Sequence, residues 1–374
     1  MREINIAGVL IEKRREKGVT QEELANHVGV TKASVSKWEN GNSYPDITLL
    51  PVIASYFDIT LDALMQYSPL LTEAEIKETY ERLAERFANE AFEDAVYECE
   101  LLTKKYYYCF PLISSIALLY INHVSMVADE DRKTEVLKGA ITLCQHIRKE
   151  CRDMKQLQEA MHIQALCHIH VNEPQQVIDL LSDEYGFPTR QGDGFLVSQA
   201  YQLLGNMDKA NEVEQSEILK GLFTLFESLI SYLRLNVGDF ETALPVYERA
   251  EKINIEYNMK QLNANSTGNL YILGAMMYNL AGKQKEALAL LKKFTELCIH
   301  DFWPFRVQGG TFFNRIDDWL EKYARLSPLP RNKALINKSM LHEGLLNPAF
   351  ENLHSYSEFN KLVTQLKKFI GEES

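Results

Sequence analysis

The residues of this chain that could do chemistry gather in one short stretch, Thr20 to Gly41, which reads TQEELANHVGVTKASVSKWENG. Hydroxyls, amides and two lysines are interspersed there with the apolar residues Leu24, Ala25, Val28, Val35 and Trp38. Such side chains recognise by hydrogen bonding. Elsewhere GxxxxGK[ST], G-x-G-x-x-G and HExxH do not occur, and no Ser/His/Asp set can be assembled. His162, Cys167, His168 and His170 lie close in sequence. On a helix, however, His162 and Cys167 stand five apart and His168 and His170 face different sides, whereas a metal needs converging ligands. The six cysteines, Cys99, Cys109, Cys144, Cys151, Cys167 and Cys298, form no CxxC pair and read as reduced, buried, small hydrophobes. Cys144 and Cys151 share a helix face but lie ~10 Å apart by helical rise, too far for a disulfide. Lys104 to Tyr108 (KKYYY) reads as a helix end with tyrosines over a core. These residues predict a binding protein without cofactor or metal, and not an enzyme.

The elements that must position the Thr20–Gly41 residues are short helices. Ile6, Val9 and Leu10 put an apolar stripe on a first helix that stops at Gly18. Thr20 with Glu23 three positions on is a capping box that starts a second helix, with Leu24, Ala25 and Val28 inward. Gly29 makes the turn, because a left-handed backbone is cheap for glycine. Thr31 caps a third helix, with Val35 and Trp38 inward, ended by Asn40 and Gly41. Pro45 and Asp46 open a fourth, carrying Leu49, Leu50, Ile53 and Phe57 inward. A fifth, capped by Thr60, closes the domain with Ile59, Leu61 and Leu64.

This pattern resembles the lambda-repressor-like, Cro/repressor-type helix-turn-helix family over about residues 4–66. The resemblance rests on Gln21 to Ala25, Gly29 to Thr31, Val35 to Gly41, Pro45, Ile53 with Ala54, and Leu61, Asp62 and Leu64. It implies that the third helix enters the major groove. The family's base-reading positions fall on Thr31, Lys32, Ala33, Ser36 and Lys37. Lysines can donate to guanine O6 and N7, and an alanine can touch a thymine methyl. Gln21, Ser34 and Asn40 match phosphate-contacting positions. Arg14 and Glu39 match an ion pair that ties the first helix to the third.

The full chain of 374 residues, with 46% hydrophobic and 25% charged residues, is long enough for two or three domains. Only 11 prolines and 18 glycines punctuate it, which favours helices. No run of about 18 apolar residues suggests a membrane span, and the N-terminus lacks signal-peptide character, so a cytoplasmic location is expected. The formal net charge is −12, of which residues 1–68 carry −2 and the remainder −10. A small DNA-reading domain needs only a local basic face, and an acidic body opposes loose adhesion to DNA.

Beyond Ser68 and Pro69 a phrase recurs: a turn, two or three polar residues, an alanine, then an apolar run. It begins at Phe92, Met207, Phe240 and Gln284, with a weaker copy at Pro174. Asn172, Gly205 and Gly238 are each 33 apart, as are Val177, Ala210 and Ala243, while Gly238 to Gly282 is 44. The physical reading is a stack of helix hairpins in which the alanine lets two helices approach. It resembles the tetratricopeptide family in degenerate form, over about residues 71–326. The departures are Arg234 at a helix-A aromatic position and the missing unit-ending prolines.

The expected fold is therefore all-α: a five-helix head over residues 1–68, an α-solenoid of tetratricopeptide-like hairpins over 71–326, and capping helices over 327–374. Inner positions of such a stack bind extended peptides. In this register they include Gln199, Gln202, Tyr232, Asn236, Asn269, Met276 and Asn279, whose amides can pair with a peptide backbone. The architecture resembles the Rap–Rgg–NprR–PlcR–PrgX superfamily of peptide-pheromone receptors. That resemblance implies a homodimeric regulator that binds two operator half-sites in double-stranded DNA and senses a small signalling peptide. The alternative is a helix-turn-helix regulator whose repeats hold a protein partner or only mediate oligomerisation.

Overall fold

The computed structural model describes residues 5–66, 70–303, 309–326 and 332–372. Among the described residues all regular structure is helical, and one isolated bridge pairs Ser182 with Pro188. No helix among them is long and apolar enough to cross a membrane. The chain divides into two compact units, Met1–Val171 and Asn172–Ser374.

The first unit begins with α1 (Ile6–Glu16), α2 (Gln21–Val28) and α3 (Lys32–Glu39), followed by a 3-10 turn (Ile47–Leu49), α4 (Leu50–Phe57) and α5 (Leu61–Met65). The capping box is present: the Thr20 hydroxyl accepts from Glu23 N, and the Glu23 carboxylate accepts from Thr20 N. Gly29 ends α2 at φ +80°, where a side chain would be strained. Ile6, Leu10, Leu24, Ala25, Val35, Trp38, Ile53 and Leu64 close a small core. Leu61 departs from expectation. It is 41% exposed at the first position of a five-residue helix, while Leu64 is fully buried.

The unit continues with α6 (Glu73–Asn89), α7 (Phe92–Lys105), α8 (Phe110–His123), α9 (Glu130–Glu150) and α10 (Met154–His170). Their shared core includes Leu83, Phe87, Ile113, Ile116, Leu137 and Ile163. Tyr106 packs against this core, whereas Tyr107 and Tyr108 are half exposed and cluster with Phe110 and His146.

The second unit contains α11 (Pro174–Leu181), α12 (Gly194–Leu203), α13 (Met207–Asn236), α14 (Phe240–Glu256), α15 (Met259–Leu262), α16 (Ala264–Leu280) and α17 (Gln284–Glu296). A wide π-turn (Leu297–Asp301) extends α17, and α18 (Asp317–Leu326) and α19 (Lys333–Ser339) follow. A second π-turn (Met340–Leu345), a 3-10 stretch (Pro348–Ser355) and α20 (Ser357–Ile370) complete the unit. Phe350, Phe359, Leu362 and Leu366 join the same core as α13 to α17.

The recurring phrase marks helix starts: α7, α11, α13, α14 and α17 begin at Phe92, Pro174, Met207, Phe240 and Gln284. The repeated small or β-branched residues Ala95, Val177, Ala210, Ala243 and Ala287 are all buried. Asn172, Gly205 and Gly282 adopt positive φ at the turns before three of these starts; Gly238 does not. Close approach is clearest at Gly274, where a Cβ would lie 2.5 Å from the Tyr247 ring and 2.9 Å from Leu290.

One departure interrupts the hairpin alternation. A repeat reading ends one helix after Ala210 and begins another near Ser228. Instead α13 runs unbroken for 30 residues, a span of ~45 Å. Nothing between Ala210 and Ser228 stops it: Gly221 is helical, no proline occurs, and Val213, Leu219, Leu222 and Phe226 keep one face buried. A wholly buried Phe226 side chain alone supplies ~2–3 kcal/mol of apolar transfer.

All six cysteines are free and buried. Burial pushes the Cys99, Cys167 and Cys298 thiols up to about 12, so they are poor nucleophiles. His168 is buried and its Nε2 lies 3.2 Å from the Gln164 amide, which also accepts from Arg148.

Candidate nucleic-acid interface and ligand cavity

At 100° per residue, positions 32, 33, 36, 37 and 40 of α3 fall within an arc of about 140°. Lys32, Ala33, Lys37 and Asn40 are exposed, and Ser36 is half buried. Val35, Trp38 and Glu39 occupy the buried arc. Helix α3 has eight residues, ~12 Å of rise, comparable to the width of a DNA major groove. Thr31 is exposed and caps the helix by accepting from Ser34 N at 3.2 Å, and its hydroxyl lies 3.0 Å from the Ser34 hydroxyl. Asn40 Nδ2 donates to Ser36 Oγ at 3.4 Å. Lys32 Nζ is 3.8 Å from Glu22, both strongly exposed, so this pair contributes little and yields easily to another anion.

The inner side of α3 is held by a polar triad. The Arg14 guanidinium donates in a two-pronged fashion to Glu39, at 2.6 and 3.0 Å, and to Val19 O at 3.0 Å. Gln21 Nε2 donates to the same carboxylate at 2.8 Å. Glu39 is 7% exposed. Burial alone would raise its carboxyl, but the hydrogen bonds from Arg14 and Gln21, with the charges of Arg14 and Arg15, outweigh this and hold it below the ordinary value. Arg14 therefore pairs with Glu39 as the resemblance implies. Gln21 spends one amide N–H on Glu39 and carries a second N–H for which no bond is described.

Of the residues expected to face a peptide, Gln199, Gln202, Tyr232, Asn236, Met276 and Asn279 line none of the described cavities. Gln199 is half buried and Gln202 donates to Ser198 Oγ at 3.4 Å. Tyr232 is 51% exposed, and Asn236 Nδ2 donates to its carbonyl. Met276 packs against the core of the second unit. Asn279 is not open to a ligand. Both N–H groups of its amide go to Ala349 O and Asn352 Oδ1, each at 2.8 Å, and its oxygen accepts from Asn352 at 3.0 Å. The 3-10 stretch Pro348–Ser355 covers it, a long-range pairing that helical register does not foresee.

Asn269 does line a cavity of about 560 Å³ within the second unit. Ile272, Phe294, Leu297, Cys298, Phe302, Ile336 and Met340 form its apolar lining. Asn263, Asn265, Ser266 and Ser339 supply polar groups, and Glu227 and Glu343 are exposed at its rim. Of these, the sequence reading above names Asn269, and the other polar groups and both carboxylates escape it. The available signal was the run Asn263 to Asn269 (NANSTGN), where a helix start is crowded with small and polar residues. A second depression of about 730 Å³ lies between α17 and α20 and carries Lys292, Lys361 and Lys368. Among the described residues no group of three His, Cys, Asp or Glu is placed to hold a metal.

Residues 10–64 match a family described as helix-turn-helix. Among characterised proteins, the HTH-type transcriptional activator BcrR of Enterococcus faecalis is 40% identical over 62 residues. That match spans 17% of this chain and 30% of the relative's length. Among solved structures, PlcR of Bacillus thuringiensis, crystallised with the peptide PapR7 and DNA, is 15% identical. The alignment covers 79% of this chain and 94% of that one, with a TM-score of 0.24. The apo competence regulator ComR of Streptococcus vestibularis is 12% identical, covering 86% of this chain and 98% of that one, with a TM-score of 0.19. The helix-turn-helix match is confined to residues 10–64, within α1 to α5.

Proposed function

We propose that the protein is a dimeric transcription regulator that reads an operator with α3 and takes a small signalling peptide on its helical region. The observation that carries the DNA half is the two-sided design of α3: an exposed arc of Lys32, Ala33, Ser36 and Lys37, backed by the buried Arg14–Glu39–Gln21 triad. Thr31, Lys32, Ala33, Ser36 and Lys37 read base edges in this proposal, and Gln21, Ser34 and Asn40 hold phosphates. Similarity to a transcriptional activator over 62 residues supports it. One such head covers few base pairs, so useful affinity calls for two heads on two half-sites. The cavity beside Asn269 supports the peptide half, because its size and mixed lining suit side chains of a short peptide. A peptide switches the regulator only by binding one dimer geometry better than another.

Genome-wide recovery of bound DNA, with and without culture supernatant, tests both halves together. A discrete, repeated operator whose occupancy changes with supernatant is expected. Binding without sequence preference would end the DNA proposal; an occupancy indifferent to every supernatant fraction and synthetic peptide would end the peptide proposal.

One observation favours the second reading, in which the helical region serves subunit contact. Ile218, Leu225 and Tyr232 are 42%, 52% and 51% exposed at seven-residue intervals on α13. That spacing is the seam of a two-stranded helical pair, and a second copy of α13 matches it. If Leu225→Glu leaves the sedimentation of the full chain unchanged, α13 is not the seam.

A further inference from the structure

We propose that the ring of Phe294 is the wall that decides which apolar side chain the cavity of the second unit accepts, and that Gly268 and Gly344 set where this wall stands. The inference rests on the peptide reading above and adds the anchor of the ligand: one bulky apolar side chain packed on the ring. All three residues line the cavity. Phe294 projects from the last turn of α17 and is 7% exposed. Its ring lies between two stretches of backbone that carry no side chain. On the Cε2 side is Gly268 of α16, where a Cβ would come 3.4 Å from the ring and 3.6 Å from Leu297. On the Cε1 and Cζ side is Gly344 of the second π-turn, where a Cβ would come 2.8 Å from both atoms. Neither glycine adopts positive φ, so the backbone makes no demand for glycine at either place; the room taken by the ring does. Behind Phe294 is the close-packed core of the unit, and in front of it is the cavity. A methyl group at Gly344 is therefore met by the ring moving forward, which shortens the chamber. Ile272 and Met340 face the same space, and together with an aromatic ring they form an adaptable apolar surface. Such a surface discriminates by size, since one methylene more or less changes binding about tenfold or more. Gly274 is packed just as closely, on Tyr247, but does not line the cavity, so it separates overpacking from a change in the wall.

The test uses the full-length protein, with thermal melting to check that each variant is folded. A pool of short synthetic peptides is selected on the wild type. The selected peptide is then remade with each apolar residue replaced in turn by Ala, Leu, Phe or Trp, and titration calorimetry ranks the set. One position should prefer a bulky residue over Ala by about tenfold or more. Gly344→Ala should lower the affinity of the bulkiest accepted side chain there about tenfold and leave the Ala peptide nearly unchanged. Gly268→Ala should do the same to a smaller degree. Phe294→Leu should move the preference toward a larger side chain, and adding it to Gly344→Ala should restore the lost affinity. Gly274→Ala should leave the ranking as it is. If Gly344→Ala does not fold, Phe294→Leu and Gly268→Ala decide. A ranking unchanged in folded Phe294→Leu and Gly268→Ala, or altered equally by Gly274→Ala, overturns the wall inference and leaves the peptide reading standing. Failure of every peptide to bind the wild type overturns both.

Discussion

Partners close in sequence fix α3 in the head: Glu39 meets Gln21 18 positions away and Arg14 25 positions away, and Thr31 caps its own helix. Around the cavity the distances are longer. Glu227 meets Asn263 and Ser266 across 36 and 39 positions, and the lining runs on to Gly344. The head is a local device whose parts specify one another. The cavity exists only after α13, α16, α17 and α19 have packed. A local device should fail sharply when one part is removed, and a collective one should lose by degrees.

The sharpest break is Arg14→Ala. It leaves Glu39 buried without its guanidinium, and loss of one partner of such a pair costs ~3–5 kcal/mol. Melting followed within residues 5–66 should show the head unfolding first, while the second unit keeps its transition. The same triad predicts the pH response. Because the Glu39 carboxyl is lowered on folding, its contribution is complete above the ordinary carboxylate range and is lost as pH falls through the lowered value. Acid titration should loosen the head of the wild type and change little in a folded Glu39→Gln protein.

In the second unit, Gly274→Val drives a side chain into Tyr247 and Leu290 and should cost ~1–3 kcal/mol of that unit's stability by overpacking. Operator binding by the head, measured below that transition, should be unaffected; loss of DNA affinity at full folding would show that the two regions are energetically coupled.

Lys37→Ala should cost ~1–3 kcal/mol of operator binding and relax preference at one base position, whereas Gln21→Ala should weaken all sequences evenly. Unchanged selectivity in Lys37→Ala would remove α3 from the groove. The smallest effect is Thr20→Ala, which loses an N-cap worth ~1 kcal/mol. Its melting shift should appear in the head alone.

The same contrast explains how much can be read from the chain. Capping box, glycine turn and apolar spacing are short-range signals, so α1 to α5 are legible in the residues themselves, whereas the Arg14–Glu39 pair came from the family resemblance. The recurring phrase locates five helix starts for the same reason. What escapes such a reading depends on long-range packing. Asn279 has the register of a ligand-facing amide and is committed to Asn352, 73 positions away. Gly238 matches Gly205 by spacing, yet only Gly205 takes the left-handed conformation. The cavity draws on residues near 227, 266, 298 and 340, and no periodicity links them.

The unbroken α13 has a mechanical consequence. A hairpin turn between Ala210 and Ser228 would act as a joint, absorbing a tilt through its free dihedrals. A continuous α-helix has no such joint and behaves over this length as a stiff lever. Glu227 is two-thirds of the way along it, so a displacement imposed at the cavity is delivered ~30 Å away at Met207. If the cavity is occupied as proposed, such a lever would couple it to the helices packed on its far end, α12 among them.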